Sequence, residues 1–428
     1  LKNLKVIWDG RKSYLLSEFM AADYDHSIIL KTGFSGQAAL EETIREFTGH
    51  YSVSEDLFPV KAAREGLYDL DLPGMMLGAC CNFDMSLNLE DDIIQKSVIH
   101  RDALKVLNRD FFKGLEIEQL VSYMGRFDYN AGVFGELAFC QGIEELLKLE
   151  VPKRAESLRI LIAELFRITS HLDFLSRLAE IMGHDLAANM IMIERETLLG
   201  VIEVMTGARI IPNFIRIGGV SSRVGSDIIK RIKRTMALFV KDFSKIEKIL
   251  TTDFTMIEKL KGLGSIDRDK AGGAGLSGPN LRASGQRYDL RKEPGRSIYH
   301  DIHFTVPYAR GGSCLERMTV RIGEIYQSAR IIMQAAEKIH SGPVLKRINL
   351  SHLDFNLTPF TSSVECPHGI FKIFGEVEGN SLRSFVVLGP SATALAIVAD
   401  LLEGHSVDDI EIIISSLDIS YGEIMDYV

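Results

Sequence analysis

Two stretches of this chain repeat apolar residues at alternating intervals of three and four, and they limit its architecture more than anything else in it. Between Ala155 and Gly183 the apolar positions are Leu158, Leu161, Leu165, Ile168, Leu172, Leu175, Ala179 and Met182. From Leu315 to Ile339 they are Met318, Ile322, Ile325, Ala329, Ile332 and Ala336. This spacing predicts two long helices, each packed along one stripe. Each helix also carries charge at the same period: Glu164, Arg167 and His171 on the first, Arg317, Arg321 and Glu324 on the second. Such stripes are either solvated faces laced with local ion pairs of about 0.3 kcal/mol each or faces buried against partner proteins. Spacing alone does not separate the two.

The rest of the chain frames those helices. Its 428 residues, 46% of them hydrophobic, can bury a large core as two or three lobes. A net charge of −9 argues against nucleic-acid binding. The charge is uneven: residues 281–350 carry twelve Lys or Arg against six acids, whereas residues 384–428 carry eight acids and no Lys or Arg. Such polarity points to contacts within an assembly. The longest uncharged apolar run, Ser384–Ala399, is interrupted by Gly389-Pro390 and is too short to span a bilayer. The first twenty residues lack the apolar core of a signal peptide. Cys80, Cys81, Cys140, Cys314 and Cys366 form no C-x-x-C pair, so the expectation is no metal and no cluster of the chain's own, with buried thiols in a reducing compartment.

The chain divides by composition into an N-terminal α+β region, 1–110, and a mainly helical region, 111–428. Within the second, Ile370–Val377 and Leu382–Leu388 flank Gly379-Asn380-Ser381 and read as a β-hairpin. No internal repeat is present. The predicted fold class is α+β, mainly helical, with a long-helix core and small β elements at its edge.

One segment escapes both periods. Gly275–Lys292 holds three glycines, one proline and four cations against one carboxylate, which reads as a basic loop rather than a helix or a core strand. Gly273-Ala-Gly275-Leu-Ser-Gly278 matches G-x-G-x-x-G, but Asp267-Arg-Asp-Lys270 stands where a dinucleotide site needs a strand, and Pro279 follows. A Rossmann site is therefore rejected. His300 and His303 have no third ligand nearby in sequence, so a metal there is not expected.

The same segment, Leu276-Ser-Gly-Pro-Asn-Leu-Arg-Ala-Ser-Gly285 with Asp289-Leu-Arg-Lys292, resembles the signature loop of the large quinone-site subunit (the D-subunit) of NADH:quinone oxidoreductase, respiratory complex I. Further segments similar to that family follow in its order: Gly125–Tyr129, Val151–Ala155, Ala163–Arg167 with His171, Thr206–Arg209, Arg216–Val220, Gln327–Arg330, Ser363–Glu365 and Gly422-Glu423. The resemblance implies a fold of the nickel–iron hydrogenase large-subunit type. It implies a peripheral-arm component of a proton-translocating enzyme, not catalytic alone, on the cytoplasmic face of a bacterial inner membrane or the matrix face of the mitochondrial one. Quinone would be substrate, with an iron–sulfur cluster in the adjacent small subunit. A protein like the complex's C-subunit and a membrane-arm protein at the quinone channel would be further partners. The resemblance assigns Tyr129 to a quinone carbonyl, with Arg126 and Asp128 tuning it, and places Arg209, Arg216, His171 and Val364 at the quinone pocket or facing the cluster. The alternative is a structural component of a related membrane-bound complex without quinone chemistry of its own.

The sequence departs from that family in three related places. No His lies between Tyr51 and Ile99, where members carry H-P-x-x-H-G; the nearest counterpart is Asp71-Leu-Pro-Gly-Met-Met76. Ile181 stands for the aspartate that partners that histidine, and Ile211 for the histidine beside the cluster. The departures remove the site's groups that titrate near neutral pH and leave Arg126, Asp128 and Tyr129 in place.

Overall fold

The structure, a computed structural model, describes side chains at residues 85–100, 111–293, 298–350, 353 and 355–424; beyond these it describes backbone elements only, within residues 3–84, 105–110 and 426–427. Cys80 and Cys81 lie outside the described residues. The chain forms two compact units, one of residues 1–76, 82–101 and 402–407 and one of the remainder.

The described elements of the first unit are mostly antiparallel strands. β1 (Asn3–Trp8), β2 (Ser13–Ala21) and β3 (Tyr24–Leu30) form one sheet. β4 (Ala62–Arg64), β5 (Leu67–Met76), β6 (Asn82–Glu90) and β7 (Ile93–His100) form another in that order. The Asp71–Met76 segment falls within β5.

The second unit opens with β8 (Lys105–Leu107), α1 (Ile117–Met124) and α2 (Val133–Leu146). The first predicted helix is α3, Lys153–Ile181, about 43 Å long at 1.5 Å per residue. It begins after Pro152, whose carbonyl accepts the Ala155 and Glu156 N–H groups. It ends at Gly183, where φ +75° and a His184 N–H to Ala179 C=O bond of 2.8 Å close the last turn. α4 (Asp185–Thr206) runs back alongside, followed by the short strands β9 (Ile215–Arg216) and β10 (Gly219–Val220) and then α5 (Ser226–Thr252). α6 (Phe254–Leu260), α7 (Arg268–Gly273) and α8 (Gly278–Ala283) lead to the second predicted helix, α9, Cys314–Glu337. Ser313-Cys-Leu-Glu316 starts α9 with a reciprocal cap in which Glu316 accepts the Ser313 N–H at 2.9 Å. α3 packs on α4 and α9, and α5 packs on α4 and α9, so four long helices make the core. Leu158, Leu161, Leu165, Ile168, Met318, Ile325 and Ile332 are fully buried there.

β11 (Phe355–Glu365), β12 (Ile370–Gly379) and β13 (Ser381–Leu388) form an antiparallel sheet against α2. The predicted hairpin is β12–β13: Glu378 pairs with Ser381, and Gly379 turns with φ +59°. The chain closes with α10 (Pro390–Ala396), α11 (Val398–Leu402), α12 (Ile410–Leu417), α13 (Tyr421–Ile424) and β14 (Asp426–Tyr427), which pairs with β8.

Two sequence expectations need correction. The ionic stripes of α3 and α9 are neither solvated nor partner surfaces: Glu164, Arg167, His171, Arg317, Arg321 and Glu324 are all fully buried, facing one another and the 275–292 segment. The segment itself is not a solvated basic loop. It includes α8 and a 3-10 turn at Leu290–Lys292, and Arg282 and Arg291 are buried with the stripes as their counter-charges.

Candidate functional site

The turn between α1 and α2 divides its side chains between surface and interior. Arg126 and Tyr129 are exposed, Tyr129 at 56%, while Phe127 and Asp128 are buried. The turn is fixed locally because Asp128 Oδ1 accepts the Asn130 N–H at 3.0 Å. From the far end of the chain Gly422 packs so closely that a Cβ there would overlap the Phe127 carbonyl oxygen. Asp128 Oδ1 also accepts the Ser420 hydroxyl at 3.2 Å.

Behind Asp128 lies a cluster that the sequence reading did not identify. Cys366 and Gly369 exchange backbone hydrogen bonds, so Pro367-His368 is the two-residue loop joining β11 to β12. Proline fixes the first position of such a turn. The turn rests on α8, where a Cβ on Gly278 (φ +63°) would overlap the Gly369 Cα, and Ser277 Oγ accepts the Ile370 N–H at 2.9 Å. His368 is thereby held inside, 4% exposed. Its Nδ1 lies 3.3 Å from Asp128 Oδ2 and 3.5 Å from Glu423 Oε1, and its Nε2 lies 3.5 Å from Asp418 Oδ2. Burial opposes its charge, but Asp128, Asp418 and Glu423 lift its pKa well above the ordinary histidine value. Burial and Glu423 push the neighbouring Cys366 thiol up to about 12. One signal was available in sequence: Pro-His-Gly between two alternating apolar runs marks a hairpin loop. The partners of that loop lie far along the chain, and no periodicity links them.

His171 is not part of this turn. It sits in the interior between α3 and α9, with Nε2 3.0 Å from Glu324 Oε2. Burial pushes its pKa down to about 4 despite that carboxylate. Burial alone would raise Glu324, but Arg282 and His171 hold it well below the usual carboxylate range. Arg282 bridges Glu324 at 2.7 Å and Glu365 at 2.7 Å; Arg291 bridges Glu164 at 3.2 Å and Asp289 at 2.7 Å. Val364 is buried on β11 beside this network, lining a cavity of about 20 Å³ with Phe134, Arg291 and Tyr299.

Arg209 turns back onto α4, bound to Glu203 at 3.0 Å and to Glu196. Arg216 is half-buried in β9, its carbonyl accepting Arg159 at 2.8 Å. No hydrogen bond or ion pair among the described residues links either arginine to Arg126, Asp128 or Tyr129. Ile211 does approach that turn: a Cβ on Gly125 would lie 3.0 Å from it and 3.2 Å from Glu136 Oε1. Glu136, fully buried on α2, accepts the Phe214 and Ile215 N–H groups at 3.0 Å each through Oε2, while Oε1 has no partner among the described residues. Burial pushes its pKa up to about 7 against those hydrogen bonds and Arg216. The G-x-G-x-x-G match runs from the end of α7 to the start of α8, with no strand before it.

Comparison with known proteins agrees with this architecture. The sequence model described as "Respiratory-chain NADH dehydrogenase, 49 Kd subunit" matches residues 182–355. The chain is 34% identical to the NADH-quinone oxidoreductase D-subunit of Clostridium beijerinckii over 321 residues, which cover 72% of this chain and 83% of that protein. It is 30% identical to the protein of the same name from Desulforamulus reducens, over 80% of this chain and 93% of that one. Among solved structures, a chain of the membrane-bound sulfane sulfur reductase, an archaeal respiratory membrane complex, superimposes with a TM-score of 0.80 at 24% identity, covering 86% of this chain and 100% of that one.

Proposed function

This chain belongs to the D-subunit family of NADH-quinone oxidoreductase, and on that premise we propose that it forms the quinone-facing wall of a membrane-attached respiratory complex. Its helical core then corresponds to the nickel–iron hydrogenase large-subunit type. In this reading the chain holds no iron–sulfur cluster of its own, electrons arrive from a cluster in a neighbouring small subunit, and NADH is oxidised elsewhere in the assembly. Among the described residues no helix is long and apolar enough to cross a membrane. The chain is attached peripherally, on the cytoplasmic or matrix face, beside a protein like the complex's C-subunit and a membrane-arm protein.

The observation that supports this reading is the division of the 126–129 turn. Quinone reduction to quinol takes two electrons and two protons. Tyr129 offers an exposed phenol that can donate a hydrogen bond and then a proton to a quinone carbonyl. The exposed Arg126 offers charge to the reduced headgroup. Asp128, one residue before the phenol, connects that surface to the buried His368 cluster. In this reading Arg209, Arg216, Val364 and His171 lie at the quinone pocket or face the cluster, bracing the wall that carries Tyr129.

A specific observation favours the alternative of a structural role. Ile211, an apolar side chain, adjoins Gly125 where the family resemblance implies a histidine. The variant Tyr129→Phe separates the two readings. In a fully assembled complex it is expected to lower quinone reductase activity by about one to two decades, the cost of a lost hydrogen bond of roughly 1–3 kcal/mol. Activity equal to wild type would assign the chain to the structural role.

A further inference from the structure

We propose that Cys366, His368 and Glu423, with Asp128 beside His368, form a site for one divalent transition-metal ion of the zinc class. Ligand atoms of the first three lie within 4.8 Å of one another, all buried. Glu423 Oε1 lies 3.6 Å from Cys366 Sγ and 3.5 Å from His368 Nδ1, and Asp128 Oδ2 lies 3.3 Å from the same nitrogen. A tetrahedron with metal–ligand bonds of about 2.0–2.3 Å has edges of about 3.3–3.8 Å. The nitrogen–oxygen separations exceed an ordinary hydrogen bond of about 2.7–3.2 Å. Accordingly, His368 Nδ1 and Asp128 Oδ2 are buried without a hydrogen-bond partner among the described residues, although both side chains are at least nine-tenths buried and turn into the cluster. Buried polar atoms left this way are uncommon, and a missing ion is one of their ordinary explanations.

The surroundings are arranged as for ligands. Glu423 uses Oε2 to accept the Ser391 N–H at 3.1 Å and the Ser391 hydroxyl, leaving Oε1 toward the cluster. Asp128 likewise uses Oδ1 for Asn130 and Ser420 and leaves Oδ2. The second nitrogen of His368 faces Asp418, which is held by Arg177 at 2.8 Å and by Arg321 at 3.5 Å. A metal-bound histidine passes its other N–H to a carboxylate in this manner. Binding releases the Cys366 thiol proton, and any proton on His368 Nδ1, to solvent. No oxidant or reductant is needed. Thiolate, imidazole and carboxylate together suit zinc-like ions better than magnesium or calcium.

The site does not depend on Tyr129 meeting a quinone, and its test does not measure turnover. The full chain is stripped with a chelator and titrated with Co2+ as the probe. One equivalent is expected, with the intense visible bands of tetrahedral cobalt and a thiolate charge-transfer band in the near ultraviolet. Cys366→Ser should lose the charge-transfer band, His368→Gln should lose stoichiometric binding, and Asp418→Asn should weaken binding by about 10–100-fold. Zinc should raise the Tm of the wild type and not that of Cys366→Ser. Zinc, cobalt and nickel are also counted in the purified complex of wild type and Cys366→Ser, which gives a readout should either chain need its partners to fold. No uptake by a cooperatively folded wild type, or equal metal content in wild type and Cys366→Ser, overturns the proposal.

Discussion

Glu136 carries the clearest pH consequence of any single residue. Its folded pKa of about 7 lies above the ordinary 4.5, because burial outweighs the hydrogen bonds that favour its charge. The folded chain therefore holds one more proton than the unfolded chain between those values. Stability from this group falls as pH rises from 4.5 to 7 and is level above that, a loss of about 3 kcal/mol. Glu136→Gln keeps an acceptor for Phe214 and Ile215 but cannot ionise. Urea unfolding at several pH values is expected to show a flatter profile in this variant, and an unchanged profile would assign the dependence to another group. The residues of the candidate site were only partly legible in sequence. Asp128 and Tyr129 share one short motif, so a linear reading finds them. His368 lies 240 positions beyond Asp128, and only folding places the two together.

At the scale of elements, what sequence shows and what it hides separate cleanly. Lys153–Ile181 and Cys314–Glu337 were predictable because their apolar period matches the helix, and Ile370–Leu388 because glycine and asparagine divide two alternating runs. The same period fixes which charges share a face but not what covers that face. Arg282 and Arg291 look like solvated cations because their counter-charges, Glu324, Glu365 and Glu164, lie on other elements. Arg282 thus joins α8 to α9 and β11. Removing it leaves Glu324 and Glu365 buried with fewer cations, so Arg282→Ala is expected to cost about 3–5 kcal/mol in urea unfolding. Arg282→Lys, which keeps the charge and loses the fork, should fall between that variant and wild type. A loss below about 1 kcal/mol for the alanine variant would mean that water reaches these carboxylates.

Across the whole second unit, the burial of both ionic stripes predicts how stability responds to salt. Exposed pairs are screened within a Debye length of about 10 Å at 0.1 M, whereas buried ones are screened much less. Denaturation by urea at about 0.1 M and about 1 M NaCl should therefore give similar midpoints; a marked fall at high salt would place the stripes in contact with solvent. The candidate site also has a history in time. Its hydrogen bond from Ser420 to Asp128 joins positions 292 apart, whereas the turns of α3 and α9 close over four residues. Contacts so distant in sequence form slowly compared with local ones. During refolding the helical core should mature first and the site last. Pulsed hydrogen exchange is expected to protect the amides of α3 before those of Asn130 and Ser420. A chain caught between those two moments would be helical and well packed, yet unable to gather the side chains on which its chemistry depends.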